Sequence, residues 1–190
     1  MMHFSKLSIL VFAATMVTSC SNDRALRIKA NELAQKFIIT DGHIDTPWKL
    51  SKNYEDISLR TKTGDFDYVR AKEGGLDVPF MAIYIPSSYL ETGGAKEKAD
   101  SLIDMMEEIA DKDPDKFEIA YSLADANRIF KEGKVALPMG MENGAGIEDK
   151  ISNLKHFYDR GIRYITLTHS KDNLICDSSY DEEEIHGVVL

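Results

Sequence analysis

Four short apolar runs recur along the chain, at residues 37–40, 78–85, 135–141 and 163–168, and each is followed by a turn former or a polar side chain. Runs of this length and composition are strands buried on both faces, the condition of a parallel sheet. Helical patterns lie around and between them. Residues 95–112 put Ala95, Ala99, Leu102, Met106 and Ile109 on one face before Asp113 and Pro114 stop the helix. Residues 25–36 repeat apolar side chains at Leu26, Ala30 and Leu33. Ser122 and Asp125 mark a capped helix start, and Gly133 closes that helix. Ile147, Ile151, Leu154 and Tyr158 define the face expected of a last helix, with Gly161 just past its end. A shorter helix is expected near 67–72 and an accessory strand at 117–121. The order βαβαβαβ calls for crossover helices on a parallel sheet, so the expected class is α/β. A TIM-type (β/α)8 barrel takes about 250 residues and eight strands. With 190 residues and four strands, the chain is expected to hold roughly the first half of such a barrel.

The balance of 23 basic against 32 acidic residues gives a net charge of −9. An acidic chain without a Lys/Arg cluster repels phosphate backbones, so no nucleic-acid partner is expected. The run Asp181-Glu182-Glu183-Glu184 reads as a solvated loop or helix start. Two cysteines cannot make a disulfide framework.

The first twenty residues read as a targeting segment. Lys6 precedes an apolar stretch from Leu7 to Val17 that is too short to span a bilayer but suits a secretory signal. It ends in Val17-Thr18-Ser19-Cys20, small residues before a cysteine, which resembles a bacterial lipobox. The expected organisation is a lipoprotein signal peptide at 1–19, a lipidated tether at 20–25 beginning with Cys20, and a folded domain at 26–190. The expected location is the bacterial cell envelope, held through lipid rather than a membrane-spanning helix. An ordinary signal peptide with an incidental cysteine is the alternative. Cys176 is then the remaining thiol, and a buried small hydrophobe is its expected role.

Three strand ends carry chemistry. His43 and Asp45 stand two apart, so on an extended segment they point to one side. They follow the first strand, at the C-terminal mouth where barrel enzymes place their sites. An imidazole and a carboxylate there suit a borderline divalent ion such as zinc, and they equally suit a hydrogen-bonded strand end. Glu142 ends the third strand at the same mouth. It could bridge two metal ions or cap a helix over Gly146. His169 follows the fourth strand and could ligate metal, hold a developing oxyanion, or sit as a satisfied rim histidine. His156 is expected on the surface and His186 in a loop.

Taken together, DGHIDTPW at 41–48, GMENG at 140–144 and GIRYITLTHS at 161–170 resemble the membrane (renal-type) dipeptidases, dinuclear zinc metallopeptidases on a (β/α)8 barrel. The resemblance covers residues 26–190. Ile44, Thr46 and Asn143 depart from the more usual family residues, and none of the three is a ligand position. The resemblance implies that His43 and Asp45 bind one zinc, that Glu142 bridges two, and that His169 contacts the dipeptide substrate and stabilises the tetrahedral intermediate. Asp41 is given a supporting contact to His43. The implied reaction is dipeptide hydrolysis by a hydroxide held between the metals, and a homodimer is compatible with it. The other ligands of the second zinc are expected beyond Leu190, so the chain alone is expected to turn over little dipeptide. Two readings stay open beside this one. One is a non-catalytic lipoprotein binding module; the other is a barrel metallohydrolase acting on cyclic amides or lactones.

Overall fold

The computed structural model describes residues 23–181. The chain divides into two compact units, residues 1–37 and 38–190. The described part of the first is one helix, α1, over 23–36. Cys20 and His186 lie outside the described residues, as do the acidic positions 182–184.

The second unit is α/β. Its strands are β1 (Thr40–Ile44), β2 (Val78–Tyr84), β3 (Phe117–Ile119), β4 (Val135–Leu137), β5 (Met139–Glu142) and β6 (Ile162–Thr166). Its helices are α2 (Thr46–Lys52), α3 (Tyr68–Gly74), α4 (Tyr89–Thr92), α5 (Ala95–Lys112), α6 (Leu123–Lys131) and α7 (Ile151–Asp159), with a 3-10 turn at Gly144–Ile147. The main sheet has the order β1-β2-β5-β6 and every pairing in it is parallel. This is the expected half-barrel arrangement, with all four strands pointing their C-terminal ends the same way.

The core forms where apolar periodicity is strongest. β2 is buried almost throughout. Met81, Ile83, Met139 and Met141 from the sheet meet Leu102, Ile103, Met106 and Ile109 from α5. All five residues expected on the inner face of α5 are buried. Ser122 accepts from the Asp125 N–H, and the Asp125 carboxylate accepts from the Tyr121 N–H and the Ser122 hydroxyl, so α6 is capped as expected.

Three elements differ from expectation. The first strand runs over Thr40–Ile44, not 37–40, because it is the edge of the sheet with mostly exposed side chains, and hydrophobic pattern sees only the core. The third run is split at Pro138. β4 pairs with β3 in a separate two-stranded parallel sheet, while β5 pairs with β2 and β6. Proline has no N–H for a ladder, so it marks the crossing from one sheet to the other; its carbonyl still accepts from the Met81 N–H at 2.8 Å. The last helix is rotated from its expected face. Ile151 and Tyr158 are exposed, whereas Phe157 and Asn153 are buried. Ile147 belongs to the 3-10 turn, and the left-handed backbone at Glu148 (φ 54°) resets the phase before α7 begins. His156 is accordingly half-buried, its Nε2 2.7 Å from Asp100 on α5 and its ring edge-on to Phe157.

A buried carboxylate pins the long excursion between α2 and α3. Asp67 caps α3 by accepting from the Arg70 N–H at 2.8 Å. It also accepts from the Thr61 N–H (3.1 Å) and hydroxyl (3.2 Å), and pairs with the Arg70 guanidinium. Burial alone would raise its pKa, but these hydrogen bonds and the Arg70 charge outweigh burial and hold it below the ordinary range. A carboxyl whose folded pKa lies below its unfolded value of about 3.9 stabilises above that value and loses the contribution as pH falls through the folded pKa. Asp67→Ala is expected to cost about 3 kcal/mol at neutral pH. Urea denaturation across pH 2–7 checks this: the gap between wild type and variant closes in acid.

Candidate functional site

The site begins with an irregularity in β1. Thr40 pairs with Val78 and Asp41 with Pro79, but Ile44 pairs with Met81, so β1 carries one extra residue at Gly42-His43. Bulges of this kind re-aim side chains near sites. The backbone groups at the bulge are satisfied locally. Asp41 accepts from the His43 N–H at 2.9 Å, and the Tyr164 hydroxyl donates to the Gly42 carbonyl at 3.0 Å. Asp41 therefore supports the His43 backbone, and it is Tyr164 whose hydroxyl lies 3.1 Å from the ring Nδ1. β6 carries the matching irregularity: Met139 pairs with Ile162 but Met141 with Ile165.

The re-aimed His43 meets two carboxylates. Its Nε2 lies 3.4 Å from Asp45 Oδ1 and 3.3 Å from Glu142 Oε2. Glu142 ends β5 and its side chain is only 15% exposed, against 55% for Asp45. The other Glu142 oxygen, Oε1, lies 3.4 Å from His169 Nε2. Donor atoms of His43, Asp45 and Glu142 all fall within 4.8 Å of one another. One imidazole nitrogen and two carboxylate oxygens at that spacing are the donor chemistry of zinc, so the residues present fit the expected metal. All four expected site residues are thus brought to the C-terminal end of the sheet.

Aromatic side chains wall the site. Tyr84, level with Glu142 across the β2–β5 pairing, packs edge-on to the His169 ring at 5.1 Å, and Trp48 of α2 packs edge-on to Tyr84 at 5.1 Å. Burial, followed by the charges of Glu142 and Asp45, raises the Tyr84 pKa. Burial, followed by Glu142, Asp41 and Asp45, does the same for Tyr164. Both phenols therefore stay protonated at neutral pH. Tyr84 lies outside the three quoted motifs, and Tyr164 lies within GIRYITLTHS at 161–170 without any feature of that run assigning it a role. The signal for Tyr164 is Gly140 inside a buried strand, since a Cβ there would lie 2.1 Å from the Tyr164 ring.

The sequence profile of the membrane dipeptidases (peptidase family M19) matches residues 27–188. A dipeptidase of Aspergillus terreus is 28% identical over 180 residues, covering 87% of this chain and 43% of that protein. A dipeptidase of Claviceps purpurea is 31% identical over 159 residues, covering 77% and 37%. Among solved structures, the probable dipeptidase PvdM from Pseudomonas aeruginosa superposes with a TM-score of 0.71 at 25% identity, covering 82% of this chain and 40% of that one. A metallopeptidase from Rhodobacter sphaeroides shares the fold at 22% identity and a TM-score of 0.63, covering 72% and 47%. The chain spans less than half the length of these relatives.

Directly behind Glu142, Asn143 ties three strand ends together. Glu142 does not cap the turn that follows; Asn143 does, accepting from the Ala145 N–H at 3.2 Å. Its Nδ2 donates to the Ile85 carbonyl beyond β2 at 2.9 Å. Asn173 Nδ2 in turn donates to Asn143 Oδ1 (3.0 Å) and to the Leu167 carbonyl beyond β6 (2.7 Å). Asn143 is fully buried and sits at φ 74°, a left-handed conformation that asparagine tolerates better than alanine. Asn143→Ala combines backbone strain with stranded buried polar groups and is expected to cost about 3 kcal/mol. Asn143→Gly relieves the strain and is expected to cost roughly 1 kcal/mol less. Chemical denaturation of the three proteins checks this order.

Proposed function

The chain belongs to the membrane dipeptidase family, and on that premise we propose that it supplies one face of the catalytic centre of a zinc-dependent dipeptidase. The observation that carries this reading is the convergence of His43, Asp45 and Glu142 within 4.8 Å, with His169 against the second Glu142 oxygen. Dipeptide hydrolysis is the activity proposed for the whole protein, of which this chain spans a part. The family membership favours an enzyme over a non-catalytic binding module.

His43 Nε2, Asp45 Oδ1 and Glu142 Oε2 would hold a zinc ion. Glu142 turns its two oxygens to different neighbours, Oε2 toward His43 and Oε1 toward His169, which supports a bridging role between two ions. Bound there, zinc supplies Lewis acidity for the scissile carbonyl and makes a water-derived nucleophile available near neutral pH. His169 Nε2 can donate a proton to the oxygen on which charge develops, a role that depends on its orientation. That orientation is held from two sides. Tyr84 packs against the ring, and the Ser178 hydroxyl donates to the His169 carbonyl at 3.0 Å. Glu142, largely shielded from solvent, keeps its carboxylate in a setting where its charge is poorly screened.

The proposed location is the cell envelope, through lipid on Cys20. The Val17-Thr18-Ser19-Cys20 run supports it, and among the described residues no helix is long and apolar enough to cross a membrane.

Zinc content after dialysis, read by elemental mass spectrometry, tests the centre. The chain is expected to retain zinc, and the double variant His43→Ala/Glu142→Gln to lose it; equal zinc in both would overturn the proposed ligands. In the whole protein, Glu142→Gln is expected to lower kcat/KM for dipeptides at least about 100-fold. An Asp159→Asn control, in an exposed pairing with Lys155 on α7, is expected to leave the rate within a few-fold.

A further inference from the structure

We infer that Tyr164 is a positioning residue: in the space left by Gly140, its hydroxyl fixes His43 in the tautomer that leaves Nε2 bare toward Asp45 and Glu142. The metal-ligand role of His43 rests on the function proposed above; the tautomer does not.

Proton counting carries the argument. A phenol hydroxyl has one proton, and a backbone carbonyl can only accept. The Tyr164 hydroxyl lies 3.0 Å from the Gly42 carbonyl oxygen, and both of its contacts are hydrogen bonds together only when its proton goes there. The same oxygen lies 3.1 Å from His43 Nδ1. That second contact is a hydrogen bond only if Nδ1 carries the proton and the phenol oxygen accepts it. In the neutral ring, Nε2 is then the bare nitrogen. Its carboxylate neighbours stand at 3.4 and 3.3 Å, longer than the roughly 2.7–2.9 Å of a charge-assisted N–H···O bond. Neither carboxylate makes the short bond that would claim a proton on Nε2. A lone pair and two carboxylates facing one another repel, and a cation among them relieves the repulsion.

The lever that holds the hydroxyl is rigid. Tyr164 stands on β6 and His43 on β1, three strand spacings of about 4.8 Å apart along the sheet. One side chain bridges them because the sheet curls and the ring crosses β5 directly over Gly140. A Cβ at residue 140 would lie 2.1–2.5 Å from three ring atoms, so a side chain there displaces the ring. Phe80 on β2 packs against the Tyr164 ring at 5.5 Å. The ring is therefore seated by β2 and β5 while its hydroxyl serves β1.

Nitrogen-15 NMR of the histidine-labelled, zinc-free chain near pH 9 reads the tautomer directly, with His43→Ala assigning the signal. A protonated Nδ1 and a bare Nε2 are expected in the wild type. Tyr164→Phe keeps the ring and removes the hydroxyl. It is expected to lose the tautomer preference and to bind zinc about 10–100-fold more weakly in chelator competition, with an unchanged thermal midpoint in the zinc-free state. A wild-type His43 protonated on Nε2 overturns the inference without any variant. So does a Tyr164→Phe chain with the wild-type tautomer and zinc affinity. A chain that holds no zinc refutes the metal centre, and the nitrogen shifts still decide the role of Tyr164.

Discussion

Parallel pairing is the constraint on which the site depends. Because β1, β2, β5 and β6 all run the same way, every strand delivers its last residue to one end of the sheet. Tyr84 is level with Glu142, and Glu142 with Thr166, so the turns after these strands open beside one another. β1 is offset, with Ile44 level with Met81, and the bulge at Gly42-His43 makes up part of that offset. An antiparallel pairing anywhere in this order would send one donor to the far end. The metal-ligand geometry is thus a property of topology before it is a property of any one side chain.

The polar groups behind the site are buried, those at the bulge are exposed, and both sets are hydrogen-bonded. Asn143 and Asn173 serve the carbonyls that β2 and β6 leave unpaired as they end. Asp41 and Tyr164 serve the bulge. Asn143 and Asn173 replace water that the packed strand ends exclude, where an unsatisfied group costs more than the bond contributes, whereas the exposed contacts of Asp41 and Tyr164 orient rather than stabilise. Glu142 stands between the two networks, which explains how a carboxylate so little exposed keeps a defined orientation.

Much of this was legible in the sequence where a signal is periodic or local. β2, α5 and the cap of α6 follow from apolar spacing and from the Ser122/Asp125 pair. His43, Asp45, Glu142 and His169 stood out because reactive side chains follow apolar runs, and the structure gathers them. What was not legible is pairwise. The start of β1 depends on pairing with β2, since its own side chains carry no core pattern. The face of α7 depends on a left-handed residue at Glu148 that no periodicity records. Tyr164 acts because Gly140 lies beside it on the next strand, and that adjacency exists only once β5 and β6 have paired.

The sheet order also ranks the parts of the site along the chain. In the main sheet, the order of strands across space is their order along the chain. His43 and Asp45 stand on and just after the first of these strands and Glu142 ends the third, whereas Tyr164 stands on the fourth. A chain cut after β5 would carry all three donors and lack the hydroxyl that orients the imidazole.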